Sequence, residues 1–214
     1  MSLPRLSDYT PPTALPASRA QWTPSRDRAA LLVHDMQEYF VRAYPADSIA
    51  LTRAVTSIAR ILATARAAGL PVYYTAQPGD QEPHSRGLLW DLWGPGIRSA
   101  DTEIIAALAP REGETVLTKH RYSAFARSDF EQLLRAQGRD QLVVTGVYAE
   151  VGVLATAVDA FSRDIAPFVV ADAVAAFDRP GHVRALDQAA SHCAVVTATD
   201  ALCRSLAPTL MTAS

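Results

Sequence analysis

Short apolar runs alternate along the chain with longer stretches in which apolar residues recur every three or four positions. Each short run predicts a strand buried on both faces, because such a strand carries no polar alternation. Each longer stretch predicts an amphipathic helix. The predicted strands are Ala29–Asp35, Pro71–Ala76, Thr115–Thr118, Leu142–Thr145, Phe168–Ala171 and Ala194–Thr197.

Helical patterns separate these strands. The clearest runs from Ser48, a suitable N-cap, to Gly69, a suitable C-terminal residue. Another opens at Ser128, which has capping-box spacing to Glu131, and ends at Gly138. Further helical stretches are predicted near 102–108, 152–163 and 182–191. This alternation predicts a single α/β domain of three layers, Rossmann-like, with a six-stranded, mainly parallel sheet covered by helices on both faces.

The first 28 residues differ from the rest of the chain. Prolines recur there at positions 4, 11, 12, 16 and 24 without helical or strand spacing. This pattern predicts an extended proline-rich N-terminal arm over residues 1–28, packed on the domain or on a partner subunit, and a domain over residues 29–214.

Composition narrows the class of function. The 214 residues are 49% hydrophobic and 20% charged, with a net charge of −2, which is typical of a globular protein and gives no electrostatic footprint for nucleic acid or membrane. The N-terminus has no apolar core of signal-peptide length, and no stretch approaches the roughly 20 apolar residues of a membrane span. We therefore expect a cytoplasmic protein.

No cofactor pattern is present. The five histidines lack metal-ligand spacing, so no metal is expected. The glycines form neither a phosphate-binding loop nor a dinucleotide fingerprint. Cys193 and Cys203 belong to no pair or ligand cluster and are predicted to be reduced core residues.

Polar side chains follow four successive strands. Asp35 follows the first strand, Gln77 the second, Lys119 the third and Tyr148 the fourth. Sites in open α/β sheets lie outside the carboxyl ends of the strands. The sequence therefore predicts that these four groups converge in one crevice.

Each candidate also has a purely structural interpretation. Asp35 could cap a helix, Lys119 could be a surface cation, and Tyr122 and Tyr148 could simply pack. Arg86 lies in a predicted loop, where its guanidinium could clamp a carboxylate, but a solvated surface arginine is the favoured interpretation.

Longer segments carry a family resemblance. LLVHDMQEYF, PVYYTAQPG, LLWDLWGPG, KHRYSAF, GRDQLVVTGVYAEVGV and DAFSRDIAPFVVADAVAAF resemble the isochorismatase-like hydrolases, in collinear order over residues 29–200. Most of that superfamily are amidases with an aspartate, a lysine and a nucleophilic cysteine. Asp35 and Lys119 match the first two, whereas the cysteine position falls on Gly152. The resemblance therefore implies the cysteine-less branch, which cleaves enolpyruvyl (vinyl) ethers and releases pyruvate.

Within that branch, the segment DAFSRDIAPFVVADA looks closest to the phenazine-pathway hydrolase, and the N-terminal arm is also similar to that of this branch. The implied small-molecule substrate is 2-amino-2-deoxyisochorismate, and the implied products are trans-2,3-dihydro-3-hydroxyanthranilate and pyruvate. Isochorismate, giving 2,3-dihydro-2,3-dihydroxybenzoate, is the alternative substrate. A non-catalytic relative that binds an aromatic acid is the alternative class. The resemblance also implies a homodimer that needs no cofactor.

The resemblance assigns roles to individual residues. Asp35 would be the general acid that protonates the terminal methylene carbon, with its pKa raised by burial against the opposing pull of Lys119. Lys119 would orient the substrate or the acid. The residues expected to contact the substrate are Gln77, Arg86, Tyr122, Tyr148 and the backbone of Gly152.

Two residues depart from the family pattern. Glu150 stands where a histidine is usual, and His120 stands where a tryptophan commonly follows the lysine. A Glu150 carboxylate facing the site would act as a modulator, because a like charge raises the pKa of Asp35. A Glu150 facing solvent or a subunit interface would change nothing.

Overall fold

The computed structural model describes residues 3–207, and its centre is a six-stranded sheet. The strands are β1 (Ala29–His34), β2 (Val72–Ala76), β3 (Thr115–Thr118), β4 (Gln141–Val147), β5 (Ala166–Ala175) and β6 (Val195–Thr197). Their order in the sheet is β3-β2-β1-β4-β5-β6, and every neighbouring pair is parallel. The predicted six-stranded α/β fold is confirmed.

The central strand β1 is buried along its whole length. Its alternate residues point to opposite faces of the sheet, as the two-residue period of a strand requires. Leu31 and Val33 belong to one hydrophobic core, and Ala30 and Leu32 belong to the other. Because both faces of β1 are buried, its sequence is an apolar run without polar alternation.

Helices cover both faces of the sheet. They are α1 (Glu38–Val41), α2 (Ile49–Ala68), α3 (Pro83–Arg86), α4 (Leu89–Trp93), α5 (Phe130–Ala136), α6 (Leu154–Phe161), α7 (Arg179–His192) and α8 (Thr199–Leu206). The helices α2 and α8 pack on the core that contains Leu31, and α5, α6 and α7 pack on the core that contains Leu32. In α2, Ser48 accepts a hydrogen bond from the Leu51 N–H, and Gly69 takes a left-handed conformation with φ 70°, as the sequence predicted.

Several local predictions were wrong. The stretch 102–108 is not an α-helix but contains a 3₁₀ turn at Ala106–Leu108. The capping box at Ser128 does not form, because α5 begins at Phe130 with Asp129 as its N-cap; the Glu131 carboxylate accepts from Arg163. The strand predicted to end at Ala171 continues to Ala175 as part of β5.

Residues 3–28 contain no helix or strand and lie against the rest of the chain. Tyr9 donates through its hydroxyl to the ring of His182, at 3.0 Å, and accepts from the Ala176 N–H. Asp8 accepts from Ser48 at the start of α2. The proposed division into an arm over 1–28 and a domain over 29–214 stays a prediction, and residues 1–2 and 208–214 lie outside the described part of the chain.

No helix within residues 3–207 is long and apolar enough to cross a membrane. The strand order places the topological switch point between β1 and β4, because the chain leaves β1 towards β2 and later returns to β4 on the other side. Ligands of open α/β sheets bind at such a point.

Candidate active site

Asp35 and Lys119 form a buried ion pair at the carboxyl ends of β1 and β3. The Lys119 ammonium Nζ donates to Asp35 Oδ2 at 2.8 Å, and the two residues are only 3% and 5% exposed. Thr75, from the strand between them, donates through its hydroxyl to Asp35 Oδ1 at 2.5 Å. The carboxylate therefore has a fixed position, with one oxygen held by a cation and the other by a hydroxyl.

The backbone at Asp35 is also unusual. Its φ of 50° lies in the left-handed region, where residues other than glycine are uncommon. The Asp35 N–H donates to the Thr75 hydroxyl oxygen at 3.0 Å, so a single threonine holds both the backbone and the side chain of this residue. Strained backbone of this kind clusters at functional sites, where the surrounding structure enforces it.

The pKa of Asp35 is lowered in this structure. Burial alone would raise it, but the charge of Lys119, the neighbouring His34, and hydrogen bonds from Lys119 and Thr75 outweigh burial and hold the pKa below its usual range. The expectation that burial keeps Asp35 protonated is therefore wrong for the substrate-free protein. At neutral pH Asp35 is therefore a carboxylate in this structure.

Gln77 lies beside this pair, at the end of β2. Its side-chain amide Nε2 lies 3.5 Å from Asp35 Oδ2. Its backbone is fixed by a reciprocal pair of hydrogen bonds with Gln37, whose amide oxygen accepts from the Gln77 N–H and whose Nε2 donates to the Gln77 carbonyl. The Gln77 side chain thus remains available to a ligand.

Arg86 is not the solvated loop residue that the sequence favoured: it ends α3, is buried, and has no acidic partner in the described residues. It is 4% exposed, its Nε donates to the Gly94 carbonyl at 2.5 Å, and one terminal nitrogen has no partner. Gly96 has φ 79°, and a Cβ there would overlap the guanidinium. An unpaired buried cation is costly, so this arrangement suits a bound anion such as a carboxylate.

Aromatic rings form much of the remaining wall. The Tyr122 hydroxyl accepts from Trp93 Nε1 at 2.7 Å. The Tyr148 hydroxyl donates to the Phe40 carbonyl at 2.7 Å, and its ring lies 4.4 Å from that of Phe177, measured between centroids. The protein itself therefore supplies partners for both tyrosine hydroxyls, and the rings offer mainly apolar faces to a ligand.

These groups line one common cavity. Asp35 is the one carboxylate among the described residues that line it, and no cysteine, serine or threonine is among them. The lining residues are Leu3, Asp35, Tyr39, Phe40, Gln77, Arg86, Leu89, Trp93, Lys119, Tyr122, Val147, Tyr148, Val151, Gly152 and Phe177. All seven residues that the sequence assigned to catalysis or substrate contact lie here.

Gly152 lies in a π-helical turn, Ala149–Val153, that joins β4 to α6. The turn follows a cis peptide bond between Val147 and Tyr148. Gly152 is buried and lines the cavity, so bare backbone forms this part of its wall.

Glu150 and His120, the two departures from the family pattern, lie outside the cavity lining. Glu150 accepts from the Phe177 N–H at 2.8 Å, and burial raises the pKa of its carboxyl. The titratable groups with the largest effect on the pKa of Asp35 are Lys119 and His34. The geometry therefore gives no support to Glu150 as a modulator of Asp35.

Sequence reasoning missed several residues of the site. Thr75 gave a weak signal, as a polar residue near the end of an apolar strand. The aromatic segment LLWDLWGPG contains the helix α4 and supplies Leu89 and Trp93, and its sequence indicated only the family resemblance. Phe177 reaches the cavity because β5 runs four residues further than predicted. No local sequence pattern indicates this longer strand.

Within residues 3–207 no group of three or more histidine, cysteine, aspartate or glutamate side chains is arranged to hold a metal ion. The lining of the cavity offers a single carboxylate and no histidine. The donor set does not fit a protein-bound metal.

Residues 29–201 match the isochorismatase domain family. The phenazine biosynthesis protein PhzD of Pseudomonas fluorescens is 52% identical over 202 residues, covering 92% of this chain and 97% of that protein. Isochorismatase of Bacillus subtilis is 46% identical over 206 residues, covering 94% of this chain and 66% of that protein. The crystal structure of a cysteine hydrolase from Pseudomonas syringae pv. phaseolicola superposes with a TM-score of 0.80 at 26% identity, covering 89% of this chain and 97% of that one.

The fold, the site and these matches together place the chain in the isochorismatase family of hydrolases. Within that family it matches the phenazine biosynthesis protein over nearly the full length of both chains.

Proposed function

We propose that the protein hydrolyses the enolpyruvyl ether of 2-amino-2-deoxyisochorismate to trans-2,3-dihydro-3-hydroxyanthranilate and pyruvate. The observation that carries this proposal is the buried Asp35–Lys119 pair in a cavity whose described lining has no cysteine or hydroxyl nucleophile of serine or threonine type. The similarity to phenazine biosynthesis proteins of two Pseudomonas species supports the amino form of the substrate.

Vinyl-ether hydrolysis fits a site that has an acid and lacks a thiol. Asp35 donates a proton to the terminal methylene carbon, and the ether oxygen stabilises the resulting oxocarbenium ion. Water adds to this cation and loses a proton, giving a hemiketal that collapses to pyruvate and the ring alcohol. No covalent bond to the protein is needed, and a positioned general acid typically contributes a rate factor of about 10²–10⁴.

Substrate binding itself raises the pKa of Asp35, as this mechanism requires. Asp35 is ionised in this structure because the charge of Lys119 and the hydrogen bonds outweigh burial. A substrate carboxylate bound beside Lys119 adds a negative charge and competes for the ammonium, and both effects raise the pKa of Asp35. Asp35 therefore takes up a proton from solvent as the substrate binds, and then delivers it to carbon.

The other cavity residues bind and orient the substrate. Arg86 pairs with a carboxylate, because its guanidinium has an unpaired nitrogen in a buried position. Gln77 hydrogen-bonds a polar substituent beside Asp35. The rings of Tyr122 and Tyr148 pack against the cyclohexadiene ring, and the bare backbone at Gly152 leaves room for the enolpyruvyl group.

Isochorismate is the second candidate substrate, supported by the similarity to the Bacillus subtilis isochorismatase. The two substrates differ only by an amino or a hydroxyl group. The described cavity lining offers no carboxylate besides Asp35 to recognise an amino group. A homodimer remains a prediction from the family resemblance, and a cytoplasmic location remains a prediction from the sequence.

Pyruvate release from each substrate, coupled to lactate dehydrogenase, tests the proposal. We expect turnover with the amino substrate at a kcat/KM at least equal to that with isochorismate. In ¹⁸O-labelled water the ring hydroxyl of the product should stay unlabelled, because water attacks the enolpyruvyl carbon. Absence of pyruvate from both substrates, with tight binding of an aromatic acid, would instead identify a non-catalytic binding protein.

A further inference from the structure

His34 is a fully buried imidazole immediately before Asp35, at the end of β1. It pairs in the sheet with Gly146 of β4. Gly146 has φ 105°, and a Cβ there would overlap the His34 carbonyl oxygen. The backbone of β4 is therefore free of a side chain where His34 approaches it.

A second glycine faces the ring of His34 directly. A Cβ added to Gly152 would overlap His34 Cε1 and would lie 2.9 Å from Nε2 and 3.0 Å from Nδ1. The imidazole thus fills the volume in which any side chain at position 152 would begin. Because Gly152 lines the cavity, the ring lies directly behind the bare backbone of the cavity wall.

Hydrogen bonding fixes the orientation of this ring. Nδ1 lies 3.0 Å from the Val147 carbonyl oxygen, and since a carbonyl only accepts, Nδ1 carries the hydrogen. Nδ1 is also 3.7 Å from Asp35 Oδ2. Nε2 is buried and has no partner among the described residues. Burial lowers the pKa of His34 to about 4, so the ring is neutral at neutral pH.

We infer that His34 is a positioning residue that supports the Gly152 wall from behind and excludes any side chain at position 152. An imidazole at 34 and a side chain at 152, including a cysteine thiol, occupy the same space. A site of this kind, which has no nucleophile at position 152 and works by proton donation, therefore depends on both His34 and Gly152. The catalytic part of this inference rests on the proposed function, but its steric part does not.

Thermal unfolding of four proteins tests the steric part: wild type, Gly152→Ala, His34→Ala and the double variant. Gly152→Ala should lower the unfolding midpoint by about 2–4 °C or more, as expected for overpacking in a domain of this size. In the His34→Ala background the same substitution should lower the midpoint by less than half as much, because the imidazole ring that it would overlap is absent.

His182→Ala provides the matched control. His182 is also fully buried, with a pKa lowered to about 4 by burial, but its ring contacts Tyr9 and the Ala171 carbonyl rather than Gly152. In the His182→Ala background, Gly152→Ala should lower the unfolding midpoint by as much as it does in wild type. Equal costs in the wild-type, His34→Ala and His182→Ala backgrounds would overturn the steric inference, whether or not the protein releases pyruvate.

Kinetics test the positioning role. His34→Ala should lower kcat at least tenfold while KM changes less than threefold, because the ring neighbours the acid and not the Arg86 guanidinium. His34→Asn, which keeps an N–H donor for the Val147 carbonyl, should recover part of kcat. Unchanged kcat in a folded His34→Ala protein would overturn this role, whereas an inactive wild type would refute the proposed function and leave the unfolding comparison intact.

Discussion

Lys119 Nζ lies 2.8 Å from Asp35 Oδ2, and the two side chains are almost completely buried. In an interior with few other charges, such a pair is stable only while both partners are present. The ammonium holds the pKa of the Asp35 carboxyl below its usual range. In the mechanism that we propose, this relationship links substrate binding to the protonation of Asp35.

Proton uptake on binding is the first prediction. The saturated lactyl ether analogue of the substrate has both carboxylates but no vinyl carbon to protonate. Because Asp35 is ionised in the free protein and protonated in the complex, binding at pH 7 should take up close to one proton. Titration calorimetry in buffers of different ionisation enthalpy measures this number. Asp35→Asn should abolish the uptake, and wild-type binding without uptake would contradict the mechanism.

Substitution of Arg86 should mainly weaken substrate binding. Arg86→Met removes the cation proposed to hold a carboxylate, and we expect KM to rise about 10–100-fold, as for the loss of a charged hydrogen bond of roughly 1.5–3 kcal/mol. Arg86→Lys should recover only part of the loss, because an ammonium cannot make the two parallel hydrogen bonds of a guanidinium.

The control for Arg86 is Arg111→Met, which removes an exposed arginine outside the cavity lining and should leave KM unchanged. If Arg86→Met had the same KM as this control, Arg86 would not be part of the binding site.

Glu150→Gln should leave the pH dependence of kcat unchanged. The Glu150 carboxylate lies outside the cavity lining and accepts from the Phe177 N–H, a hydrogen bond that a glutamine oxygen can also accept. If Glu150 raised the pKa of Asp35 in the complex, the variant would lose activity at lower pH than wild type. A measured kcat profile that shifts in this direction would restore the modulator hypothesis.

Stability should fall as the pH drops from about 6.5 to 4. Burial lowers the pKa of both His34 and His182 to about 4 from the ordinary 6.5, so the unfolded chain binds more protons than the folded protein in this window. The stability is complete above pH 6.5 and is lost towards pH 4, at about 1.4 kcal/mol per pH unit for each histidine. Urea unfolding across this range measures the slope, and a flat profile would contradict buried neutral rings. His182→Asn should remove about half of the slope.

Much of the fold could be predicted from the sequence because the local pattern of each element agreed with the position of that element in the fold. The apolar run of β1 reflects its place between β2 and β4, and the caps at Ser48 and Gly69 follow the local preferences of the two helix ends. The capping box predicted at Ser128 did not form, because α5 begins at Phe130 with Asp129, not Ser128, as its N-cap. Residue spacing alone does not decide which of two neighbouring residues begins a helix.

The sequence predicted that the candidate residues would line the site, but not the direction in which the pKa of Asp35 is shifted. Strand-end positions predicted that Asp35, Gln77 and Lys119 would meet. Whether burial or the lysine controls the pKa of Asp35 depends on a 2.8 Å contact and on the Thr75 hydroxyl, which a sequence does not specify. The fit of His34 against Gly152 was likewise invisible, because residues 118 positions apart carry no joint pattern.

Pyruvate release from 2-amino-2-deoxyisochorismate by the wild-type protein and by Asp35→Asn tests the central claim most directly. Both proteins should first be shown to fold and to bind the lactyl analogue. We expect wild type to release one pyruvate per substrate and Asp35→Asn to be slower by about 100-fold or more at saturating substrate. An Asp35→Asn protein that keeps most of its activity would contradict the assignment of Asp35 as the proton donor.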